Sequence, residues 1–149
     1  MIFESHSPKD TKKFAKGIGQ KFLAGQSHHN KARLIALIGD LGSGKTTFTQ
    51  GFAEGLGIKD KIISPTFILI RQHPIPNSKK TLFHIDLYRL EKDFNLNELG
   101  LSEIFDKKGN LVLIEWADKI SNLAPKETIR VNIKKISQNT REISIKNFI

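Results

Sequence analysis

A three-layer α/β fold, with a central, mostly parallel sheet, antiparallel C-terminal strands and flanking helices, follows from three features of this 149-residue sequence. Residues 34–38 (LIALI) and 111–114 (LVLI) are continuous apolar runs of strand length, the pattern of strands covered on both faces. Residues 39–44 (GDLGSG) form a glycine-rich turn between the first run and a helical pattern. Residues 128–136 and 140–145 alternate apolar and polar side chains, which suits an antiparallel pair with one wet face.

Ser7, Pro8 and Asp10 mark the first helix start: a hydroxyl to cap, a ring that fixes φ at the first helical position, and an acid in the first turn. Phe14, Ile18 and Phe22 then recur every four residues with Ala15 and Leu23 beside them, and the stripe ends near Gly25. Gly17 and Gly19 weaken this helix. After a polar loop over 26–31 come the strand at 34–38, the turn, and a second helix with Phe48, Phe52 and Leu56 four apart and Gly57 as its stop. Residues 66–71 and 81–88 predict two strands of a hairpin whose loop contains Pro74, Pro76 and Asn77. Leu96, Leu99 and Ile104 predict short helical turns before the strand at 111–115. No internal repeat, low-complexity tract or linker divides the chain, so residues 1–149 read as one domain.

A chain of this length buries about two-thirds of the surface its unfolded form exposes, enough for a core without staples. Cys is absent, which excludes disulfides, thiolate metal sites and cysteine nucleophiles and suits a reducing cytosol. The start MIFESHS lacks a basic segment followed by an apolar one, and no apolar run approaches membrane-spanning length, so a cytoplasmic protein without a membrane partner is expected. The formal net charge of +9 is uneven: +5 over residues 1–33, +4 over 126–149, and zero over 34–125. Any basic patch therefore belongs to the chain ends, and the central chemistry sits in a balanced field.

Residues 39–46 (GDLGSGKT) fit G-x-x-x-x-G-K-[ST] at every required position, after a buried-strand run and at the opening of a helix. In this motif successive backbone N–H groups and the positive helix end converge on a polyphosphate, and glycines permit the turn. The backbone of Asp40, Leu41, Gly42, Ser43, Gly44, Lys45, Thr46 and Thr47 is therefore assigned to nucleotide, with Lys45 reaching the β- and γ-phosphates and the Thr46 hydroxyl ligating Mg²⁺. The alternative is a plain glycine-rich strand-to-helix turn.

Phosphoryl transfer also needs a second metal-side group and something to position the nucleophile. Glu115 ends the continuous strand, where open parallel sheets bind ligands, and Asp86 lies in the alternating segment LFHIDLY that puts His84, Asp86 and Tyr88 on one face. Glu115 is read as the Mg²⁺-side acid and Asp86 as the acid that orients water or metal. The plainer readings are a strand-end cap beside Trp116 for Glu115, and a surface ion pair with Arg89 or Arg71 for Asp86. His84 reads as a packing or hydrogen-bonding residue. Thr66, in the segment SPTF, could place a hydroxyl near the γ-phosphate as a switch, although alone that segment is a turn into a strand. Trp116 reads by default as core or interface packing. Residues 106–109 (DKKG) match a GTPase string but precede a strand where the GTPase segment follows one, and no N-K-x-D is present, so ATP is the expected nucleotide.

Together these blocks resemble the bacterial TsaE family, formerly YjeE, of P-loop ATPases in tRNA threonylcarbamoyladenosine biosynthesis. The resemblance runs from about Ser7 to Ile145 and rests on GDLGSGKTT, LGI at 56–58, SPTF at 64–67, HIDLYR at 84–89, ELGL at 98–101 and Glu115-Trp116. It implies a three-layer P-loop NTPase fold and a weak, partner-stimulated ATPase using ATP/ADP and Mg²⁺. The implied partners are a tRNA threonylcarbamoyl transferase subunit and its paralogue, of TsaD and TsaB type, which modify the adenosine following the anticodon and are this chain's only route to tRNA. The resemblance further implies that Lys45, Asp86 and Glu115 serve hydrolysis, that Thr46, Asp86 and Glu115 serve metal, that Thr66 and Trp116 act in a switch-like way, and that Thr11 and Arg141 approach the nucleotide. Ile38 and His73 depart from the family pattern, where a small residue and a Tyr are frequent.

Two other functions use the same features. A small-molecule P-loop kinase would share the loop, but 104 residues follow Lys45 and only five Arg exist for an acceptor site and lid. A basic nucleic-acid module would use the charged ends, but the Phe residues fall mainly on apolar stripes and offer no stacking platform.

Overall fold

The computed structural model describes residues 1–25, 29–63, 70–90, 99–120 and 124–148. Among the described residues eleven elements follow in order: β1 (Ile2–Ser5), α1 (Pro8–Ala24), β2 (Arg33–Ile38), α2 (Lys45–Gly55), β3 (Ile70–Pro74), β4 (Thr81–Asp86), α3 (Leu101–Asp106), β5 (Asn110–Glu115), a 3-10 turn (Ala117–Ile120), β6 (Ile129–Lys135) and β7 (Arg141–Lys146). The strands form one sheet in the order β1-β7-β6-β2-β5-β4-β3. Its centre, β6, β2, β5 and β4, is parallel, while β7 and β3 join antiparallel at the sides and β1 closes the edge antiparallel to β7.

The expected layers are present. On one face Ile35, Leu37, Leu113, Val131, Ile133 and Ile143 pack against α1 and α2 through Ala15, Ile18, Phe22, Phe48 and Phe52. On the other, Leu34, Ala36, Phe83, Ile85, Val112 and Ile114 meet Leu101 and Phe105 of α3. Every β5 residue is buried and β2 is buried through its middle four, as continuous apolar runs require. The β6 side chains alternate buried and half-buried before an exposed end, the wet-faced pattern read from the sequence.

Local signals behave as their chemistry dictates. The Ser7 hydroxyl caps α1 by accepting from the Asp10 N–H at 3.1 Å. α2 closes with paired turns, Ile58 N–H to Ala53 O and Gly57 N–H to Glu54 O at 3.0 Å each, with Gly57 at φ +83°. The glycines read as weakening α1 have different fates. A side chain on Gly17 would enter open space, whereas one on Gly19 would strike the Phe52 carbonyl and Gly55. Gly51 and Gly55 lie equally close to the Lys12 and Lys16 backbones, so α1 and α2 meet backbone to backbone.

The structure adds one element and moves one expected boundary. β1 carries no periodic signal in four residues, yet it pairs with β7, held by the Met1 amine to Ile145 O at 3.0 Å and by Ile145 N–H to Met1 O at 2.8 Å. β4 stops at Asp86 rather than Tyr88, because the chain turns there: the Tyr88 N–H donates to Asp86 Oδ1 at 2.9 Å and the Leu90 N–H to Leu87 O at 3.1 Å. Ile104 lies in a six-residue helix that starts at Leu101. Leu96, Thr66 and the start of the hairpin's first strand lie outside the described residues. Among the described residues no helix is long and apolar enough to cross a membrane.

Candidate functional site

The turn from β2 to α2 sits at the C-terminal end of the central parallel strands. Gly42 and Gly44 hold φ of +76° and +107°, backbone that a Cβ would strain. Gly44 is the N-cap of α2 and has no side chain to offer, so the first-turn N–H groups of Lys45, Thr46 and Thr47 receive no side-chain cap. These residues, with Leu41, Gly42 and Gly44, line a cleft of about 530 Å³. At α1 the Ser7 hydroxyl closes off one such group, the Asp10 N–H; here no side chain does so.

Lys45 is buried and folds back over its own loop, donating to Gly39 O at 2.6 Å and Asp40 O at 2.9 Å. Its ammonium lies 4.1 Å from the centre of the Trp116 ring. Burial lowers its pKa, and Glu115, Asp86, Asp40 and Asp118 oppose that shift by stabilising the charged form.

The two acids come together through strand register. β4 and β5 pair in parallel with Asp86 opposite Glu115, so both carboxylates leave the sheet at the wall facing the loop, and both line the cleft. Glu115 is buried, and its Oε1 lies 3.1 Å from His84 Nε2 and 3.2 Å from the Thr49 hydroxyl. With a carboxylate as acceptor, Nε2 is the protonated nitrogen of His84. The Thr49 hydroxyl also lies 2.9 Å from Lys45 O and has one proton to share between the two acceptors. Asp86 Oδ1 accepts from the Tyr88 N–H at 2.9 Å, which fixes that carboxylate at the strand exit.

Trp116 follows Glu115 at φ +61°, a left-handed conformation uncommon outside glycine. Its ring packs half-buried against the core on the α3 side, as expected, and also leans on Tyr88 at 5.0 Å and forms part of the cleft wall beside Lys45. Thr11 also lines the cleft, its hydroxyl 2.7 Å from Ser5 Oγ. Arg141 enters from β7, alongside Gln138 and Asn139 of the β6–β7 turn.

Thus Thr11, Leu41, Gly42, Gly44, Lys45, Thr46, Thr47, Asp86, Glu115, Trp116 and Arg141 share one cleft. The side chains of Asp40 and Ser43 do not join them: Asp40 is exposed and contributes its carbonyl, while Ser43 is buried behind the loop. Thr66 lies outside the described residues. Sequence reasoning missed Ser7, Pro8, Tyr88, Arg89, Gln138 and Asn139 as wall residues and Thr49 as a partner of Glu115. Thr49 stands four residues after Lys45, one helical turn along the same face, which was the available signal.

The model of the family described as "Threonylcarbamoyl adenosine biosynthesis protein TsaE" matches residues 5–143. A Bacillus subtilis (strain 168) protein named tRNA threonylcarbamoyladenosine biosynthesis protein TsaE is 43% identical over 111 residues, covering 74% of this chain and 67% of its own. A Rickettsia typhi protein of the same name is 37% identical over 147 residues, covering 97% and 94%. The crystal structure of Bacillus subtilis YdiB superposes with a TM-score of 0.73 at 32% identity, covering 97% of this chain and 83% of that one. Sequence match over most of the chain and a shared fold lead to one conclusion: this chain belongs to the TsaE family.

Proposed function

We propose that this chain binds ATP with Mg²⁺ in the cleft and hydrolyses it to ADP and phosphate, weakly alone and faster with partners, in support of tRNA N6-threonylcarbamoyladenosine formation. The observation that carries the reading is the uncapped start of α2, opening with Lys45 and Thr46 onto a cleft whose wall holds Asp86 and Glu115 in register. The relatives' names supply the pathway. Partners of TsaD and TsaB type, in the cytoplasm, would bring the tRNA.

The residues suit a Mg²⁺-nucleotide. Open N–H donors at a helix start and a buried ammonium meet phosphate oxygens, and an adjacent hydroxyl with one or two carboxylates is the usual protein share of a Mg²⁺ shell. Among the described residues no group of three or more His, Asp and Glu forms a self-sufficient metal cage. When bound through Thr46 and an acid, Mg²⁺ would neutralise charge on the phosphate oxygens. The chain does the remainder. The N–H groups of residues 44–47 would hold the phosphates, and Lys45, now resting on its own loop carbonyls, would turn toward them. Asp86 and Glu115 would orient the attacking water, with Thr49 and His84 fixing one Glu115 oxygen. The Trp116 ring covers Lys45 and keeps bulk water from that side.

The test is phosphate release and formation of modified tRNA, measured for this chain alone and with the partner subunits. Lys45→Ala and Glu115→Ala are expected to abolish partner-stimulated hydrolysis and modification. Wild-type rates in both variants, or label from γ-phosphate appearing on a metabolite instead of free phosphate, would overturn the reading.

A further inference from the structure

We propose that Arg141 is a positioning residue that fastens the phosphate loop to the last hairpin of the sheet through backbone carbonyls, and does not touch the nucleoside. The inference rests on the cleft being the nucleotide site and specifies how its loop is held in shape.

The Arg141 guanidinium is a fork between two loops that are far apart in sequence. Toward the phosphate loop, Nε donates to Ser43 O at 3.0 Å and Nη2 to Gly42 O at 3.3 Å. Toward the β6–β7 turn, Nη1 lies within donating distance of Ser137 O at 2.9 Å, Thr140 O at 3.1 Å and Gln138 O at 3.2 Å. Guanidinium carries five N–H donors in a rigid plane, and this arrangement commits donors on all three nitrogens to main-chain oxygens.

The consequence for the loop follows from peptide geometry. A trans peptide is planar, with its C=O and N–H pointing in opposite directions. Drawing the Ser43 carbonyl to Arg141 turns the Gly44 N–H the other way, into the set of donors at the start of α2. The next peptide back is held at both ends, its Gly42 carbonyl by Arg141 and its Ser43 N–H by Asp40 O at 3.0 Å. Both peptides flank glycines at positive φ, where the chain has most freedom to collapse into other shapes. A clamp applied from outside lowers the ordering cost that a bound phosphate would otherwise meet. β7 is in turn paired to β1 and β6, with Arg141 opposite Ser5 and Lys135, so the anchor is the sheet itself.

The proposal separates from nucleoside contact by ligand choice. Trp116, the single Trp, stands in the cleft wall, so its fluorescence is the readout chosen for binding. Full-length wild type, Arg141→Ala and Arg141→Lys are titrated with ADP and with inorganic tripolyphosphate, each with Mg²⁺, and Arg141→Ala is titrated again in millimolar guanidinium. The expected result is a loss of about tenfold or more in affinity, the scale of a charged hydrogen bond, by the same factor for both ligands. Added guanidinium is expected to restore part of it, as loss of folded protein would not allow. Lysine keeps the charge but not the fork, so Arg141→Lys is expected to lose affinity also, and it carries the comparison if Arg141→Ala does not fold. Unchanged affinities, wild-type affinity in Arg141→Lys, or a loss confined to ADP would overturn the clamp. Wild type that binds neither ligand would instead overturn the nucleotide reading on which the clamp rests.

Discussion

Glu115 is a carboxylate with 2% exposure at the end of an apolar strand, a placement that costs folding energy unless its oxygens find donors. Thr49 and His84 meet that need at one oxygen, so the side chain is held rigid while its charge faces the cleft. Glu115→Gln keeps the shape and removes the charge. ADP binding by fluorescence should change little, while partner-stimulated phosphate release should fall by about 10² to 10⁴. Lys45→Ala should instead abolish ADP binding, because its ammonium lies against the loop that would hold the phosphates. His73 offers a pH test away from the site. It is buried with Nε2 lacking a partner among the described residues and Nδ1 3.7 Å from Asp60, and burial lowers its pKa against the pull of that carboxylate. The folded state thus holds His73 neutral where the unfolded chain would protonate it, so its contribution is lost as pH falls below the ordinary histidine value of about 6.5. Urea midpoints measured from about pH 5 to about pH 7 should rise more steeply for wild type than for His73→Gln. That Lys45, Thr46, Asp86 and Glu115 belong to one cleft was legible, because motif spacing marks the first two, a strand end marks Glu115, and the face shared with Tyr88 marks Asp86. Thr49 was not read: its spacing from Lys45 puts it on the same helix face, but the strand end it meets shows only in the fold.

The contact of α1 with α2 depends on small residues at element scale. At Gly55 a Cβ would collide with the Lys16 carbonyl, and at Gly51 with the Lys12 backbone, neither of which can rotate away. Gly55→Ala should therefore destabilise the fold by about 1–3 kcal/mol, the usual cost of overpacking, even though alanine favours helix. Gly17→Ala is the matched control on α1. Its Cβ meets nothing within 4 Å, so it should stabilise by about 0.5–1 kcal/mol. Equal and small shifts in both denaturation curves would mean that the helices do not touch at these glycines. Helix propensity, read along the chain, treats Gly17 and Gly19 alike as weak points. Their difference comes only from what lies across the interface. β1 makes the same point from the other side, since residues 2–5 acquire strand structure from pairing with β7 rather than from any pattern of their own.

For the whole molecule, a ligand that binds only the folded state adds stability by mass action, about 2.7 kcal/mol at a hundredfold excess over Kd. For a chain of this size that is a rise of roughly 5–15 °C in Tm, scaled from the midpoint entropy of unfolding. ADP with Mg²⁺ should produce such a shift in wild type and none in Lys45→Ala, as read by differential scanning calorimetry. The excess charge belongs to this scale too. The +9 resides at the chain ends, where Lys12 and Lys16 flank Glu54 as exposed ion pairs at 3.8 Å and 2.8 Å. Such pairs contribute little to stability. What the sequence determined by itself was the layered architecture, the phosphate loop on its strand and helix, the antiparallel C-terminal pair and the identity of the two acids. Each depends on local periodicity, on glycine and lysine chemistry at fixed spacing, or on the polarity change at a strand end. Tertiary structure alone decided that Asp86 and Glu115 stand in register, that Thr49 and His84 grip one Glu115 oxygen, that Trp116 covers Lys45, and that Arg141 reaches the phosphate loop from 98 residues away. These are relations between segments with no fixed sequence spacing, set by strand order and by the packing of layers.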